Sequence, residues 1–369
     1  MKNSYLFITV LMVTMLSCQS HKEKTQESRR LTDSLQTVEL QNEAEMKAVL
    51  TNYGAKVVSL YLPDREGILG DVVTGYDSLS DYLKGEKYFG AIVGRFANRI
   101  SEGRFTLVGK TYQLPVNNGK NHLHGGDTGF HSQVWTIEKV DASSVTFRLV
   151  SPDGESGYPG NVALKVTYSL TPDNALRIDY EATTDQVTVV NFTHHSFFNL
   201  RDGGRTPITE HILTINASRF IPVDEGLIPT GELRAVAGTP FDFTTPYTVG
   251  ERINLPDKQL INGRGYDHNF VLDRPEGDSL WLAATVFEPE TGRLMEVLTT
   301  EPGLQFYSGN FFDGTTVGKG KTAYQFRSAF CLEAQHFPDS PNQPGFPSTV
   351  LNPGETYRQT TAYRFSIRQ

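Results

Sequence analysis

Alternation dominates the chain. Over residues 144–150 the apolar positions Val145, Phe147 and Leu149 share one face, with polar partners between them. Over 162–170 the shared face is Val162, Leu164, Val166, Tyr168 and Leu170, and over 175–182 it is Leu176, Ile178 and Tyr180. A period of two predicts half-buried antiparallel strands. Tyr363, Phe365 and Ile367 repeat the pattern near the C-terminus, so the last strand is expected to pair inside a sheet. Turn clusters such as Pro172-Asp173-Asn174 and Asp202-Gly203-Gly204 separate the runs. Residues 78–84 form the one short helical candidate, and no internal repeat is visible.

Composition sharpens this picture. The chain has 369 residues, with 22 Phe, 16 Tyr and 33 Gly. That is enough for a large core, and it suits an extended all-β body better than two α/β halves. A formal net charge of −8 and the absence of a clustered basic face exclude nucleic acid as a partner.

The N-terminus reads differently. Residues 1–17 have the features of a secretory signal: Lys2, then an apolar run over 5–16 too short to span a bilayer. Met15-Leu16-Ser17-Cys18 resembles a bacterial lipoprotein cleavage box, with Met15 where Leu is usual. Cys18 is then the expected lipidation site and the only expected link to a membrane. Gln19 after it resembles lipoproteins sorted to the outer membrane, so a periplasmic, outer-membrane address is expected. Residues 18–37 are polar, of mixed charge and free of aromatics, and read as a tether. The folded domain is expected over 38–369. Lipidation of Cys18 would leave Cys331 unpaired, and Cys331 reads as a small buried hydrophobe.

Two stretches carry the candidate chemistry. In CLEAQHFPDS (331–340), Glu333 stands among apolar neighbours, where burial would raise a carboxyl pKa toward the range of a general base. Taken alone, the stretch favours the plainer reading, Glu333 on the solvent face of an alternating strand, and the second stretch tips the balance. In NFTHHSFFNL (191–200), a histidine pair sits in an aromatic run. An acid and a histidine, each in an apolar setting, suffice to move protons at neutral pH.

Four further stretches hold polar residues beside aromatics. In GRFANRI (94–100), Arg99 is either a bidentate clamp on hydroxyls or a surface arginine. In NHLHGG (121–126), two histidines spaced i, i+2 would point the same way on a strand and could ligate a metal, although a hydrogen bond to a ligand hydroxyl is the better reading. In GYDHNF (265–270), Asp267 suits a carboxylate gripping paired hydroxyls or a plain turn. PGLQFYSGN (302–310) offers Gln305 as donor and acceptor beside Phe306 as a stacking platform. Without a phosphate loop or dinucleotide fingerprint, the inventory fits a neutral polyhydroxylated ligand such as a sugar and requires no cofactor.

Together these six stretches, in their order along the chain from GRFANRI to CLEAQHFPD, resemble the aldose 1-epimerase (galactose mutarotase) family from about residue 40 to the C-terminus. The resemblance implies a large antiparallel β-supersandwich and a cofactor-free, metal-free interconversion of the α and β anomers of a free aldohexose. It implies Glu333 as base and His195, the histidine directly before Ser196, as acid. His194 stands where the family usually has Asn. The implied sugar-binding positions are Asn98, Arg99, His124, Asp267 and Gln305. A buried acid histidine needs a carboxylate nearby to hold its charge, and Asp267 is a candidate. The competing readings are a hexose-6-phosphate epimerase of the same fold, a non-catalytic sugar-binding lipoprotein and a glycoside hydrolase. The first needs a basic cluster, the second should lack the pair, and the third needs two carboxylates.

Overall fold

The structure is a computed structural model, and it describes residues 34–369 apart from 87, 276 and 278. Contacts divide the chain into Met1–Gln36 and a compact unit, Thr37–Gln369. Cys18 and the expected signal segment lie outside the described residues.

Within the compact unit the alternating runs become antiparallel strands, as expected. Nine of them form one sheet, in the order Thr136–Val140, Ser144–Ser151, Val162–Leu170, Ala175–Thr184, Tyr357–Ile367, Arg293–Thr299, Trp281–Phe287, Ile212–Ile215 and Tyr247–Thr248. The C-terminal strand does pair internally, between Ala175–Thr184 and Arg293–Thr299. The faces read from the sequence are the buried ones: Val162, Leu164, Val166, Tyr168 and Leu170 are all in the core.

Helical content was under-read. The candidate at 78–84 shrinks to Leu79–Tyr82, and Val249–Arg252 and Lys258–Gly263 are also helical. The last of these is started by Asp257, whose Oδ1 accepts from the backbone N–H of Gln259 and Leu260. It stops at Arg264 in the left-handed region. Helices this short carry little periodicity to read.

A five-stranded sheet positions the chemistry. Its order is Arg234–Ala235, Arg219–Phe220, Asp267–Val271, Gly303–Tyr307 and Cys331–Gln335. One face, with Phe270, Leu304, Phe306, Leu332 and Ala334, joins the main hydrophobic core together with residues of the nine-stranded sheet. The hydroxyl of Tyr363 in that sheet donates to the carbonyl of Leu332 at 2.9 Å, tying the two layers. The opposite face is polar, and its register is fixed: Asp267 lies opposite Tyr307 and Tyr307 opposite Cys331, while Asn269 lies opposite Gln305 and Gln305 opposite Glu333. A one-residue slip would exchange the two faces, so burial of the apolar set determines where the carboxylates point.

Candidate active site

Glu333 reaches the site from this polar face. His195 comes from elsewhere, at the end of the short strand Thr193–His195, which pairs with Ala91–Val93. Their side chains meet: Nε2 of His195 is 3.4 Å from Oε1 of Glu333, and the two residues are 5% and 2% exposed. The solvent-face alternative for Glu333 is thereby excluded. His194, one residue earlier, must point the other way. Its Nε2 bonds Ser196 Oγ at 2.7 Å and its ring packs edge-on against Tyr168 in the core.

Both members of the pair are strongly perturbed. Burial pushes the Glu333 carboxyl well above the usual carboxylate range, aided by the negative charge of Asp267. Burial pushes His195 down to about 3. A carboxyl raised and an imidazole lowered both place a proton shared by the pair on the glutamate rather than the histidine. The expectation that Asp267 holds a charge on His195 is not met: Asp267 bonds Gln305 and faces Arg99, and the carboxylate beside His195 is Glu333 itself. Behind the imidazole, Cys331 Sγ is 3.5 Å from Nδ1. Burial raises its thiol well above the ordinary value, so Cys331 is a packed thiol and not a nucleophile.

The pair lies in a cleft of about 230 Å³ that Asn98, Arg99, His124 and Asp267 also line. Arg99 Nε donates to Asn118 Oδ1 at 3.2 Å, and its Nη2 is 4.0 Å from Asp267 Oδ2. His124 is oriented by backbone. The N–H of Asn98 donates to its Nδ1 at 3.1 Å, which forces the proton of the neutral ring onto Nε2. Burial and the neighbouring His195 and Arg99 hold His124 well below its ordinary pKa, so it is a neutral donor.

This tautomer also decides the metal question for the one acid–histidine cluster found among the described residues. His124, His195 and Glu333 offer ligand atoms within 4.8 Å of one another. A metal-bound histidine normally donates its second ring N–H to an acceptor. Nδ1 of His124 instead accepts from a backbone N–H, so its other nitrogen would have to bind a cation while still protonated. The donor set does not fit a metal. The i, i+2 histidine pair fails for a separate reason: the strand stops at Leu123 and His124 turns to φ 53°. His122 is buried apart, its ring nitrogens contacting Pro115 O at 2.6 Å and Tyr158 OH at 2.8 Å.

Gln305 sits one layer down. It does not line the cleft; its Nε2 donates to Asp267 Oδ1 at 2.7 Å, and its Oε1 is buried without a partner. Phe306 is not the sugar platform. Adjacent strand residues face opposite ways, so Phe306 enters the core against Tyr266 while Tyr307 lines the cleft. The remaining aromatic wall, Tyr88, Phe197, Phe311 and Phe312, was missed in the sequence. For Phe197 a signal existed, since it lies two residues from His195 and so shares its side of an extended segment. Arg95 is spent inside the protein. It donates to the carbonyls of Ser151, Pro152, Pro159 and Gly160 at 2.8–3.1 Å and is not available to a phosphate.

Comparison with known proteins agrees with this geometry. The family model for aldose 1-epimerase matches residues 36–364. The chain belongs to the aldose 1-epimerase family. It is 46% identical to the galactose mutarotase of Bos taurus over 88% of its own length and 92% of the relative's. It is 40% identical to the aldose 1-epimerase of Escherichia coli K12 over 88% and 94%. Among solved structures, an aldose epimerase homologue from C. elegans superposes with a TM-score of 0.84 at 29% identity, over 91% of this chain and 100% of that one. The galactose 1-epimerase of Lactobacillus acidophilus gives a TM-score of 0.79 at 30% identity, over 91% and 95%. The fold is thus that of the galactose mutarotases, and the protein is an isomerase acting on aldoses. One expectation is corrected by these matches. The bacterial outer-membrane address does not stand, because relatives at 44–46% identity include galactose mutarotases of cattle, pig and human, organisms without a bacterial envelope.

Proposed function

We propose that this aldose 1-epimerase interconverts the α and β anomers of free aldohexoses such as glucose and galactose through Glu333 and His195. The observation that carries the reading is the 3.4 Å contact between Nε2 of His195 and Oε1 of Glu333 in a cleft edged by hydroxyl-binding groups.

The chemistry follows from the one proton the pair holds. A bound pyranose whose O1 hydroxyl donates to Glu333 and whose O5 accepts from His195 favours the proton on the imidazole. Glu333 then removes the O1 proton, the O1 electron pair forms the C1 carbonyl, the C1–O5 bond breaks, and O5 takes the proton from Nε2. Rotation about C1–C2 presents the other carbonyl face. O5 returns its proton to His195 as it attacks C1, and O1 regains one from Glu333. No proton is gained or lost over the cycle. Each group contributes on the order of 10² to 10⁴ in rate. Neutral His124 donates from Nε2 to a sugar hydroxyl, Arg99 and Asn98 donate along the ring edge, and Asp267 accepts. Gln305 holds Asp267 in place.

Polarimetry tests the reading. Purified protein should speed the rotation decay of freshly dissolved α-glucose and α-galactose, and Glu333→Gln should remove most of that gain. Unaltered rates in both Glu333→Gln and His195→Asn would refute these roles.

A further inference from the structure

Residues 191, 193 and 195 alternate along one extended segment, so their side chains share a face. That face meets the outer strand of the five-stranded sheet, Cys331–Gln335, and the residue after it. Asn191 Oδ1 accepts from the backbone N–H of His336 at 3.0 Å, and its Nδ2 donates to the His336 carbonyl at 3.1 Å. Thr193 Oγ1 donates to the carbonyl of Ala334 at 2.9 Å. His195 then meets Glu333 at 3.4 Å. Further along, Phe198 and Phe330 exchange backbone bonds of 2.7 and 2.9 Å. The two segments thus run antiparallel. Their strands belong to separate sheets, and between Asn191 and His195 side chains span the gap.

The two polar side chains are directed at main chain, not at a ligand. Asn191 and Thr193 are wholly buried, and neither lines the cleft. Each nevertheless holds backbone beside a reacting group. Ala334 follows Glu333, and Thr193 stands two residues before His195. Asn191 Nδ2 also donates to the Ala97 carbonyl at 3.3 Å, one residue before Asn98 of the cleft. Hydrogen bonds weaken steeply with angle and distance, so these rungs fix the register of the two segments more closely than apolar packing does. Register matters here because a displacement of about 1 Å between reacting groups costs up to about 10² in rate.

Resting on the roles proposed above for Glu333 and His195, we propose that Thr193 and Asn191 are positioning residues: their side chains set the separation and orientation of Nε2 and Oε1 across the two sheets. The sugar touches neither of them.

Saturation polarimetry with α-glucose on four proteins tests this. Thr193→Val keeps the branched shape and removes the hydroxyl, while the Ala334 carbonyl still accepts from Gln359 Nε2 at 3.2 Å. It should lower kcat about tenfold and leave KM within about twofold, since the sugar contacts are untouched. Thr193→Ser restores the hydroxyl and loses the methyl, and its kcat should return to within about threefold of wild type. A packing role predicts the reverse order, with Val active and Ser impaired. Asn191→Ala should lower kcat about tenfold or more and also raise KM, because Ala97 is released beside Asn98. Circular dichroism and the denaturation midpoint confine the kinetics to folded protein, and Thr193→Ala against Thr193→Ser poses the same question should the valine variant not fold. Wild-type kcat in folded Thr193→Val, or a serine variant worse than the valine one, would overturn the positioning role. Failure of wild type to accelerate glucose, or unaltered rates in both Glu333→Gln and His195→Asn, would instead remove the reading beneath it.

Discussion

Nε2 of His195 and Oε1 of Glu333 stand 3.4 Å apart although they arrive from different sheets. Neither strand alone makes a site; the pairing depends on how the strand Thr193–His195 packs beside Cys331–Gln335. Two groups that act on one proton should fail together. Glu333→Gln and His195→Asn are each expected to lower kcat by about 10² to 10⁴, and the double variant to lose little more than the worse single. Stopped-flow polarimetry on the three variants checks this. Fully additive losses would mean that the groups act in separate steps.

The shared proton also sets the pH profile. His195 is pushed down to about 3 and Glu333 well above the usual carboxylate range, so the one-proton form lies between those two values. Acidification adds a second proton only below the lowered imidazole value, and alkali removes the first only above the raised carboxyl value. The kcat/KM profile, which reports the free enzyme, should therefore show no acid limb at the ordinary imidazole value of 6.5. Its alkaline limb should be set by Glu333. An acid limb near 6.5 would contradict a dry, neutral His195.

Gln305 offers a separate test. It lies directly opposite Glu333 across the strand pair, and Gln305 Oε1 and Glu333 Oε2 are both buried without a partner. Directly opposed Cβ atoms are roughly 5 Å apart. A buried acceptor without a partner is costly, and a protonated Glu333 would offer a donor on the face that Gln305 Oε1 shares. Removing the amide acceptor weakens the protonated form, so its pKa falls. Gln305→Leu should move the alkaline limb of kcat/KM to lower pH. A limb that stays in place while KM rises would show instead that Gln305 acts only through the sugar.

How far the sequence reached follows from what each signal depends on. The strands were legible because period-two alternation is local, and the faces of 162–170 and 175–182 could be read directly. Glu333 and His195 entered by their apolar surroundings and by resemblance, Arg99, His124, Asp267 and Gln305 by polar character beside aromatics and by resemblance, and Asn98 by resemblance alone. Their depth was not legible. Nothing in PGLQFYSGN separates Gln305, one layer beneath the cleft, from Tyr307 at its wall, because that depends on the next strand over. Phe306 follows Gln305 directly, so strand alternation turns its ring into the core and away from the sugar. The two histidines of NHLHGG were aligned by a strand that ends between them, and only backbone angles reveal that end. The location read from the leader failed because a short cleavage-box match carries far less information than hundreds of aligned residues.

Arg95 separates stability from catalysis. It and Arg99 both stand in GRFANRI, yet only Arg99 reaches the cleft. Arg95 is 2% exposed, packs over the Tyr158 ring at 5.7 Å and donates to four backbone carbonyls. Arg95→Met keeps the apolar bulk and leaves those carbonyls without their donor. Each buried polar group so orphaned costs about 1 to 3 kcal/mol before relaxation, so a net loss of about 3 kcal/mol or more is expected. A denaturation midpoint would read it. Because Arg95 touches no reacting atom, kcat and KM of the protein that stays folded should match wild type at a temperature well below the new midpoint.

Gly125 couples the backbone to the site more tightly. It follows His124 with φ 82°, and a Cβ there would lie 1.9 Å from the carbonyl oxygen of Gly94. Gly125→Ala thus adds left-handed strain of about 1 kcal/mol to a clash with main chain that no rotamer relieves. The segment must move, and with it the Asn98 N–H to His124 Nδ1 contact that fixes the tautomer. A wrongly oriented or tautomerised His124 would lose the sugar hydrogen bond proposed for it, a difference of about 0.5 to 1.5 kcal/mol. Gly125→Ala and His124→Ala should therefore both raise KM about two- to tenfold, with kcat less affected, because both leave Glu333 and His195 themselves in place. The glycine variant alone should also lower the denaturation midpoint. Unchanged KM in both variants would remove His124 from sugar binding.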